Sequence, residues 1–171
     1  MLNDTDKKAI EKIKKAAQEF ALNLTGAKVR RSSSRFCLGV EHGDYNGTEL
    51  FGVGTDRFIW IAYKPNNTDQ NRLYSVNLPE QGVVQFQTAS APKTCDSKIA
   101  GQWARFPYGV DKILSENGYK INKGIDAVIY GNIPGGGMSR SASLTLNLIL
   151  SVLEANDITE QDKFKIVDMA Q

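Results

Sequence analysis

The amino-acid sequence of 171 residues predicts one α/β domain, in which helices pack on a β-sheet. Two observations predict this class. Apolar residues recur at helical spacing near both ends and in the middle of the chain, at residues 5–25, 99–117 and 144–156. Between these segments lie short apolar runs bounded by glycine, proline and asparagine, which are typical of strands.

The N-terminal helix is predicted over residues 5–25. Asp4 or Thr5 can cap its start, and Gly26 is expected to end it. Lysines separate the apolar residues and indicate a solvated opposite face. The apolar face consists of Ile10, Ile13, Ala17, Phe20, Ala21 and Leu24.

A group of strands is predicted in the first half of the chain. Turn residues at 65–68 and 79–82 separate several of them. Strands that follow one another through short turns favour an antiparallel meander. The predicted strands are residues 36–40, 57–63, 73–78 and 83–86.

Two further helices carry end signals. The helix at 99–117 contains Pro107, which is expected near a bend or in the first turns, and Gly118 is expected to end it. A last helix is expected to follow Thr159, whose hydroxyl can cap it.

The composition excludes several classes of protein. The 21 Lys and Arg nearly balance the 19 Asp and Glu, so the charge favours neither a nucleic-acid nor a membrane partner. No apolar run is long enough to span a bilayer, and the N-terminus has no apolar segment of signal-peptide type. Two cysteines are too few for a disulfide scaffold or a metal framework. We therefore expect a reduced, cytoplasmic protein.

A glycine loop joins a predicted strand to a predicted helix. The apolar run 127–130 is followed by Pro134 and three glycines, and then by Ser139, Ser141 and Ser143. A glycine triplet alone indicates only a flexible turn. Between a strand and a serine-rich helix start it favours a phosphate site, because glycines admit a bulky anion and the first helix amides lack internal partners. The spacing matches neither the Walker-type loop nor the dinucleotide fingerprint.

A polar cluster follows the strand predicted at 36–40. Glu41, His42 and Asp44 crowd together there, downstream of Arg35. Carboxylates accept hydrogen bonds from hydroxyls while Arg and His donate them, so the cluster suits a ligand with many hydroxyls. It also suits a hairpin turn, because Asp-Tyr-Asn-Gly is good turn chemistry. The residues alone leave both interpretations open.

Three segments resemble motifs of the galactokinases, which belong to the GHMP kinase superfamily. Glu41-His-Gly-Asp-Tyr-Asn-Gly47 is similar to their Glu-His-x-Asp-Tyr-Asn-Gly sugar motif. Pro134-Gly-Gly-Gly-Met-Ser-Arg-Ser-Ala-Ser143 resembles the superfamily's phosphate loop, although Arg140 stands where serine is usual. Gln102-Trp-Ala-Arg-Phe-Pro-Tyr-Gly-Val110 resembles their Trp-x-Asn-Tyr-x-x-Gly-Val stretch.

The resemblance implies a fold, an activity and residue roles. The fold is the α/β (α+β) N-terminal domain of GHMP kinases, of the ribosomal protein S5 domain 2-like type, with helices packed on a mixed sheet. The activity is transfer of the γ-phosphate of ATP, with magnesium, to the anomeric hydroxyl of galactose or a related sugar. The implied catalytic residue is Arg35, and the sugar contacts are Glu41, His42 and Asp44. The implied nucleotide contacts are Trp103, Pro134, Gly135, Gly136, Gly137, Ser139, Arg140 and Ser141, with Ser139 and Ser141 also contacting the metal. For Trp103, a place in the core is the alternative.

The resemblance covers residues 1–171 as a single domain without a C-terminal lobe. The catalytic aspartate of galactokinases would fall beyond Gln171, so this chain alone is expected to turn over very slowly or not at all. It is either part of a longer or split enzyme, or a non-catalytic sugar- or nucleotide-binding homologue of regulatory type. The loop arginine and the departures at Ser34, Cys37 and Gly43 favour divergence. A more distant alternative is an unrelated α/β binding domain whose glycine loop is only a turn. The expected partners are a small sugar, ATP, and the missing lobe or a second copy of the chain.

Overall fold

One mixed sheet organises the part of the chain that the structure, a computed structural model, describes: residues 2–39, 47, 49, 51–91, 97–135 and 137–171. Its five strands are β1 (Lys28–Gly39), β2 (Phe51–Pro65), β3 (Gln70–Ser75), β4 (Val83–Gln87) and β5 (Ile125–Gly131). The helices are α1 (Asp4–Glu19), α2 (Ser97–Ala100), α3 (Arg105–Glu116), α4 (Arg140–Ala155) and α5 (Lys163–Asp168), with a short 3-10 helix at Pro79–Gln81. In these ranges no helix is both long and apolar enough to cross a bilayer.

The strand order confirms a mixed sheet but not the predicted meander. The order is β1-β2-β5-β3-β4. β5 pairs antiparallel with β2 and parallel with β3, so β2 and β3 are consecutive in sequence but not neighbours. Local turn residues reverse the chain after β2, but they do not determine which strand pairs with β2. β5 is the central strand of the sheet. Its first five residues are all buried, and only a central strand is covered on both faces and both edges.

Helices cover both faces of the sheet. Alternate residues of β2 point to opposite faces: Ile59 and Ile61 pack in the core beneath α3, α4 and α5, whereas Trp60 and Ala62 pack against α1. β5 alternates in the same way. Burial on both faces explains why these two strands are continuous apolar runs rather than alternating ones.

The start of α1 is capped by Asn3, and not by Asp4 or Thr5. Asn3 Oδ1 accepts a hydrogen bond from the Asp6 amide at 2.8 Å. Asp6 in the first turn is buried, and its carboxylate accepts from Trp60 Nε1 at 2.9 Å. This bond ties the helix to the sheet.

The end of α1 comes earlier than predicted. The helix stops at Glu19, and Ala21 has φ of 51°, in the left-handed region. The apolar residues beyond still pack on the sheet without helical backbone, and the ring centroid of Phe20 lies 4.0 Å from that of Tyr74. The apolar spacing therefore placed Ile13 and Ala17 correctly in the buried face, whereas Ala21, which was predicted there, is exposed. It did not predict the point where the backbone leaves the helix.

The second predicted helix divides into α2 and α3. Pro107 lies in the first turn of α3, as expected, where its missing N–H removes no helical hydrogen bond. Gly118 ends α3 with φ of 78°. The Gly118 amide donates to Ser115 O at 3.1 Å and the Tyr119 amide to Leu114 O at 3.0 Å, which is a Schellman motif.

The cap of α5 also differs from the prediction. Asp162, and not Thr159, precedes the first turn, and its Oδ1 accepts from the amides of Phe164 and Lys165 at 2.9 and 3.2 Å. Thr159 and Asp162 are both good N-cap residues, so the sequence permitted α5 to start after either of them.

The C-terminal end of α4 is tied to β1 and β2 through Glu154. Its carboxylate accepts from Lys28 Nζ at 2.6 Å and also from Arg30 and Tyr63. The hydrogen bonds from Lys28 and Tyr63 lower the pKa of Glu154 to about 2.

Candidate functional site

A cavity of 540 Å³ lies at the carboxyl end of β5. It is bounded by the glycine loop that follows β5, by the first turn of α4, and by Trp103, Arg105 and Phe106 around the start of α3. Much of its wall is apolar and includes Ile59, Leu78, Phe106 and Ile129. Cavities that hold small ligands and cofactors measure roughly 300–1,000 Å³, so this one has the size for a nucleotide.

Two asparagines hold the entry to the glycine loop. The Gly131 amide donates to Asn77 Oδ1 at 2.7 Å, and Asn77 Nδ2 donates back to Gly131 O at 2.9 Å. Asn132 Oδ1 accepts from the Phe58 amide at 2.8 Å. A Cβ added at Gly131 would lie 3.3 Å from Ile59 Cγ1, so the close approach favours glycine. The loop therefore leaves the sheet in a defined direction.

Two residues with left-handed backbone precede α4, and the second of them, Ser139, is its N-cap residue. Gly137 and Ser139 have φ of 74° and 52°, so the chain turns through the left-handed region twice before α4. Ser139 occupies the N-cap position and its carbonyl accepts from the Ser143 amide at 3.0 Å. Among the described residues, its hydroxyl caps no helix amide, contrary to the capping expected of these serines. The hydroxyl and the first amides of α4 are therefore available to an anion.

A polar layer fixes the start of α4 over β1. Ser32 Oγ donates to Ser143 O at 3.0 Å, and Ser143 Oγ donates to Ser33 O. Asn147 Nδ2 donates to Ser32 Oγ at 3.1 Å and to Ile59 O at 3.2 Å. This layer was not predicted from the sequence. Its signal was an asparagine on the apolar side of a helix, together with a run of serines in a strand.

The cavity brings most of the predicted nucleotide contacts together. Trp103 is 5% exposed, and its amide donates to Gln81 Oε1 at 2.8 Å, which fixes it in the wall. It is therefore both a core residue and a lining residue, so the two interpretations of Trp103 are compatible. The predicted nucleotide contacts that line the cavity are Trp103, Gly135, Gly137, Ser139, Arg140 and Ser141.

Other predicted site residues lie elsewhere or outside the described residues. Pro134 is exposed in the loop and does not line the cavity. Arg35 lies on β1 opposite Gly54; it is exposed and is not brought to the cavity. The predicted contacts outside the described residues are Glu41, His42, Asp44 and Gly136.

The charged groups of the described cavity lining are two arginines. Arg140 was predicted as a contact, whereas Arg105 was not. Arg105 Nη1 donates to Ala100 O at 3.2 Å, and its guanidinium carbon lies 4.9 Å from the centroid of the Phe106 ring. No Asp or Glu occurs among the described lining residues, so this part of the cavity favours an anion.

Comparison with curated proteins gives a consistent set of relatives. The chain is 39% identical over 124 residues to a galactokinase of Clostridium perfringens strain 13, a match that covers 72% of this chain and 31% of the relative. It is 34% identical over 132 residues to a galactokinase of Lactiplantibacillus plantarum, covering 75% of this chain and 33% of the relative. The chain is a relative of the galactokinases. It spans about a third of the length of the curated galactokinases it matches. No family model matches it.

Solved structures agree with this relationship. A galactokinase of Lactococcus lactis, solved in complex with galactose, superposes with a TM-score of 0.81 at 27% identity, over 93% of this chain and 40% of that one. A mevalonate kinase of Methanococcus jannaschii superposes with a TM-score of 0.68 at 18% identity, over 84% of this chain and 44% of that one, which shows a shared fold. The predicted GHMP-kinase fold of this galactokinase relative, with helices packed on a mixed sheet, is confirmed.

The cavity of this galactokinase relative does not fit a magnesium ion held by the described residues. Magnesium is usually bound through one or two carboxylates together with substrate phosphates and water. Ser139 and Ser141 offer hydroxyl oxygens, but the described lining adds no carboxylate, and Arg105 and Arg140 repel a cation. In the described ranges no group of three or more His, Cys, Asp or Glu is placed to hold a metal. The metal roles of Ser139 and Ser141 stay a prediction.

Proposed function

We propose that this chain is the nucleotide-binding lobe of a galactokinase-type sugar kinase. Its relatives and its fold make it a sugar-kinase-like fragment. The reaction we propose for the complete enzyme is transfer of the γ-phosphate of ATP to the anomeric hydroxyl of galactose or a related sugar. The observation that carries the proposal is the cavity in which Trp103, the glycine loop and the start of α4 meet.

The two halves of this cavity suit the two halves of a nucleotide. Trp103 and Phe106 form an apolar, aromatic wall against which adenine can pack. The glycine loop and the first turn of α4 offer backbone amides to the phosphates, because those amides lack helical partners. Arg140 adds a cation that can grip phosphate oxygens in bidentate fashion. Donors placed in this way stabilise charge on a transferring phosphoryl group.

A second lobe is part of this proposal. Phosphoryl transfer needs a group that positions or deprotonates the attacking hydroxyl. No carboxylate occurs in the described lining, and the curated relatives are about three times as long as this chain's match to them. Both observations support a model in which residues 1–171 form the N-terminal lobe and a further lobe supplies the base. We expect turnover by this chain alone to be very slow or absent.

The sugar contacts belong to the same proposal. Arg35 would act on the transferred phosphoryl group, and Glu41, His42 and Asp44 would hold sugar hydroxyls. The support is the motif itself, together with a solved relative that is described as a complex with galactose.

A non-catalytic homologue is the alternative function. In it the same cavity would bind a nucleotide, or the polar cluster a sugar, as a regulatory signal without phosphoryl transfer. The carboxylate-free, doubly cationic lining of the described cavity favours binding over catalysis and gives this alternative its support.

Nucleotide binding tests the cavity directly. Isothermal titration of ATP with excess magnesium into the chain is expected to give saturable binding. Gly137→Val should weaken binding by about tenfold, because a β-branched residue is strained at φ of 74°. Gly109→Ala is the matched control: it lies on α3 away from the cavity, and its added Cβ would meet nothing within 4 Å. No binding by a chain that circular dichroism shows to be folded would contradict the proposal.

Sugar binding and turnover separate the two functions. Titration of D-galactose without nucleotide is expected to show saturable binding that Asp44→Ala abolishes. If the folded parent chain binds no galactose, the sugar-contact roles do not hold for this chain in isolation. ADP release with ATP, magnesium and galactose is expected to stay near background. Turnover at an ordinary kinase rate would instead show that this chain needs no second lobe.

A further inference from the structure

Two arginines line the cavity from the first residues of two different helices. Arg105 begins α3 and Arg140 begins α4. Both are exposed, and within the described residues neither forms an ion pair. Arg105 uses one donor on Ala100 O, which leaves most of its five N–H groups free.

Both arginines stand at the unfavourable end of a helix. The N-terminus of a helix carries partial positive charge, so it favours anions and disfavours cations. Neither α3, of 12 residues, nor α4, of 16 residues, has an acidic residue in its first turn to offset the arginine. An anionic ligand bound in this cavity would offset both unfavourable placements.

A divalent cation is poorly matched to the same place. The described lining has no carboxylate to hold it, and the arginines already supply positive charge. Both arginines also depart from the motifs quoted above: Arg105 stands at the asparagine of the tryptophan stretch and Arg140 at a serine of the phosphate loop. Free ATP is more negative than its magnesium complex by the charge of the ion, so it is the better counterpart of two guanidinium groups.

We propose that Arg105 and Arg140 bind the polyphosphate of ATP directly, and that this cavity takes ATP without a divalent cation. This inference rests on the proposed nucleotide site and specifies the charge state of its ligand. The guanidinium groups do in part what a bound metal does for phosphates, since each offers paired donors to adjacent oxygens.

Titration of ATP in excess EDTA and in excess magnesium tests the inference. The parent chain is expected to bind ATP in EDTA at least as tightly as in magnesium. Arg105→Asn and Arg140→Ser should each raise the Kd in EDTA by about tenfold and the Kd in magnesium by about threefold. The effect is smaller in magnesium because the magnesium complex of ATP is less negative and interacts more weakly with each guanidinium group. Lys15→Asn removes one positive charge from α1 on the opposite face of the sheet and should leave both Kd values within about twofold of the parent.

Two further measurements separate ligand binding from folding. Without ligand, Arg105→Asn and Arg140→Ser should melt at or above the Tm of the parent, because each removes a cation from a helix N-terminus. Inorganic tripolyphosphate in EDTA should compete with ATP for the parent and more weakly for either variant.

The outcomes distinguish this inference from the proposed function. If ATP binds only when magnesium is present, or if both arginine variants bind it in EDTA as the parent does, the inference is overturned while the nucleotide site stands. A large fall in Tm for the unliganded variants would also overturn it, by making the arginines structural. If ATP binds under neither condition, the proposed function and the inference both fail.

Discussion

Replacement of Asn147 by alanine tests how the start of α4 is held on the sheet. The Asn147 side chain is 1% exposed and donates hydrogen bonds to Ser32 Oγ and Ile59 O, at 3.1 and 3.2 Å. A hydrogen bond of this kind contributes about 1 kcal/mol to stability. Truncation also leaves a small cavity, which adds up to about 1 kcal/mol. Asn147→Ala is therefore expected to lower the free energy of unfolding by about 2–3 kcal/mol.

Urea denaturation followed by tryptophan fluorescence measures this change, because Trp60 and Trp103 are both buried. The midpoint should fall while the slope m stays constant, since the surface exposed on unfolding is nearly unchanged. Asn122→Ala is the control: the Asn122 side chain is exposed, and the change should stay within about 0.5 kcal/mol. If Asn147→Ala lowers the free energy of unfolding as little as this control does, the polar layer does not hold the start of α4 on the sheet.

Three other changes test particular contacts. Gly124→Ala should lower the free energy of unfolding by about 3 kcal/mol or more, because the added Cβ would lie 2.1 Å from Gln70 O. Gly109→Ala, whose Cβ would meet nothing within 4 Å, should raise the free energy of unfolding by about 0.5–1 kcal/mol. Equal Tm values for the two variants would contradict this. Glu154→Gln should destabilise the chain by about 1–2 kcal/mol at pH 7, after allowance for solvent screening. Because the folded pKa of Glu154 is lowered to about 2 from 4.5, the parent's advantage over Glu154→Gln should shrink as pH falls from 4.5 towards 2, and a constant difference in urea midpoints would count against it. Asn77→Ala removes both bonds to the end of β5 and should raise the Kd for ATP by about threefold; an unchanged Kd would show that the loop is held by other contacts.

Much of the candidate site could be predicted because its signals are local. A strand, a glycine run and a helix that starts after serines occupy consecutive residues, and the backbone geometry of such a joint follows from those residue types. The resemblance added Trp103, which is remote in sequence, and the structure brings it to the same cavity as Ser139 and Arg140. The contact roles of these residues stay predictions for the titrations above.

Cap positions and helix ends were predicted less well because neighbouring residues compete for them. Asn3 caps α1 in place of the expected Asp4 or Thr5, and Asp162 caps α5 in place of the expected Thr159; the alternatives have similar cap preferences. The end of α1 at Glu19 is set by packing of the following apolar residues against the sheet. This packing depends on residues distant in sequence, so the local spacing of apolar residues does not predict it.

The sequence by itself determined the α/β class, most of the buried face of α1 and the strand-loop-helix joint, because each of these depends on residues within a few positions of one another. The order of the strands was decided only by the tertiary structure. β5 takes the central position between β2 and β3 because its side chains are buried on both faces, and pairing between distant segments depends on the whole core. The tertiary structure also decided that Arg105 and Arg140 line one cavity. They lie on separate helices, and the packing of α3 beside α4 brings both to it.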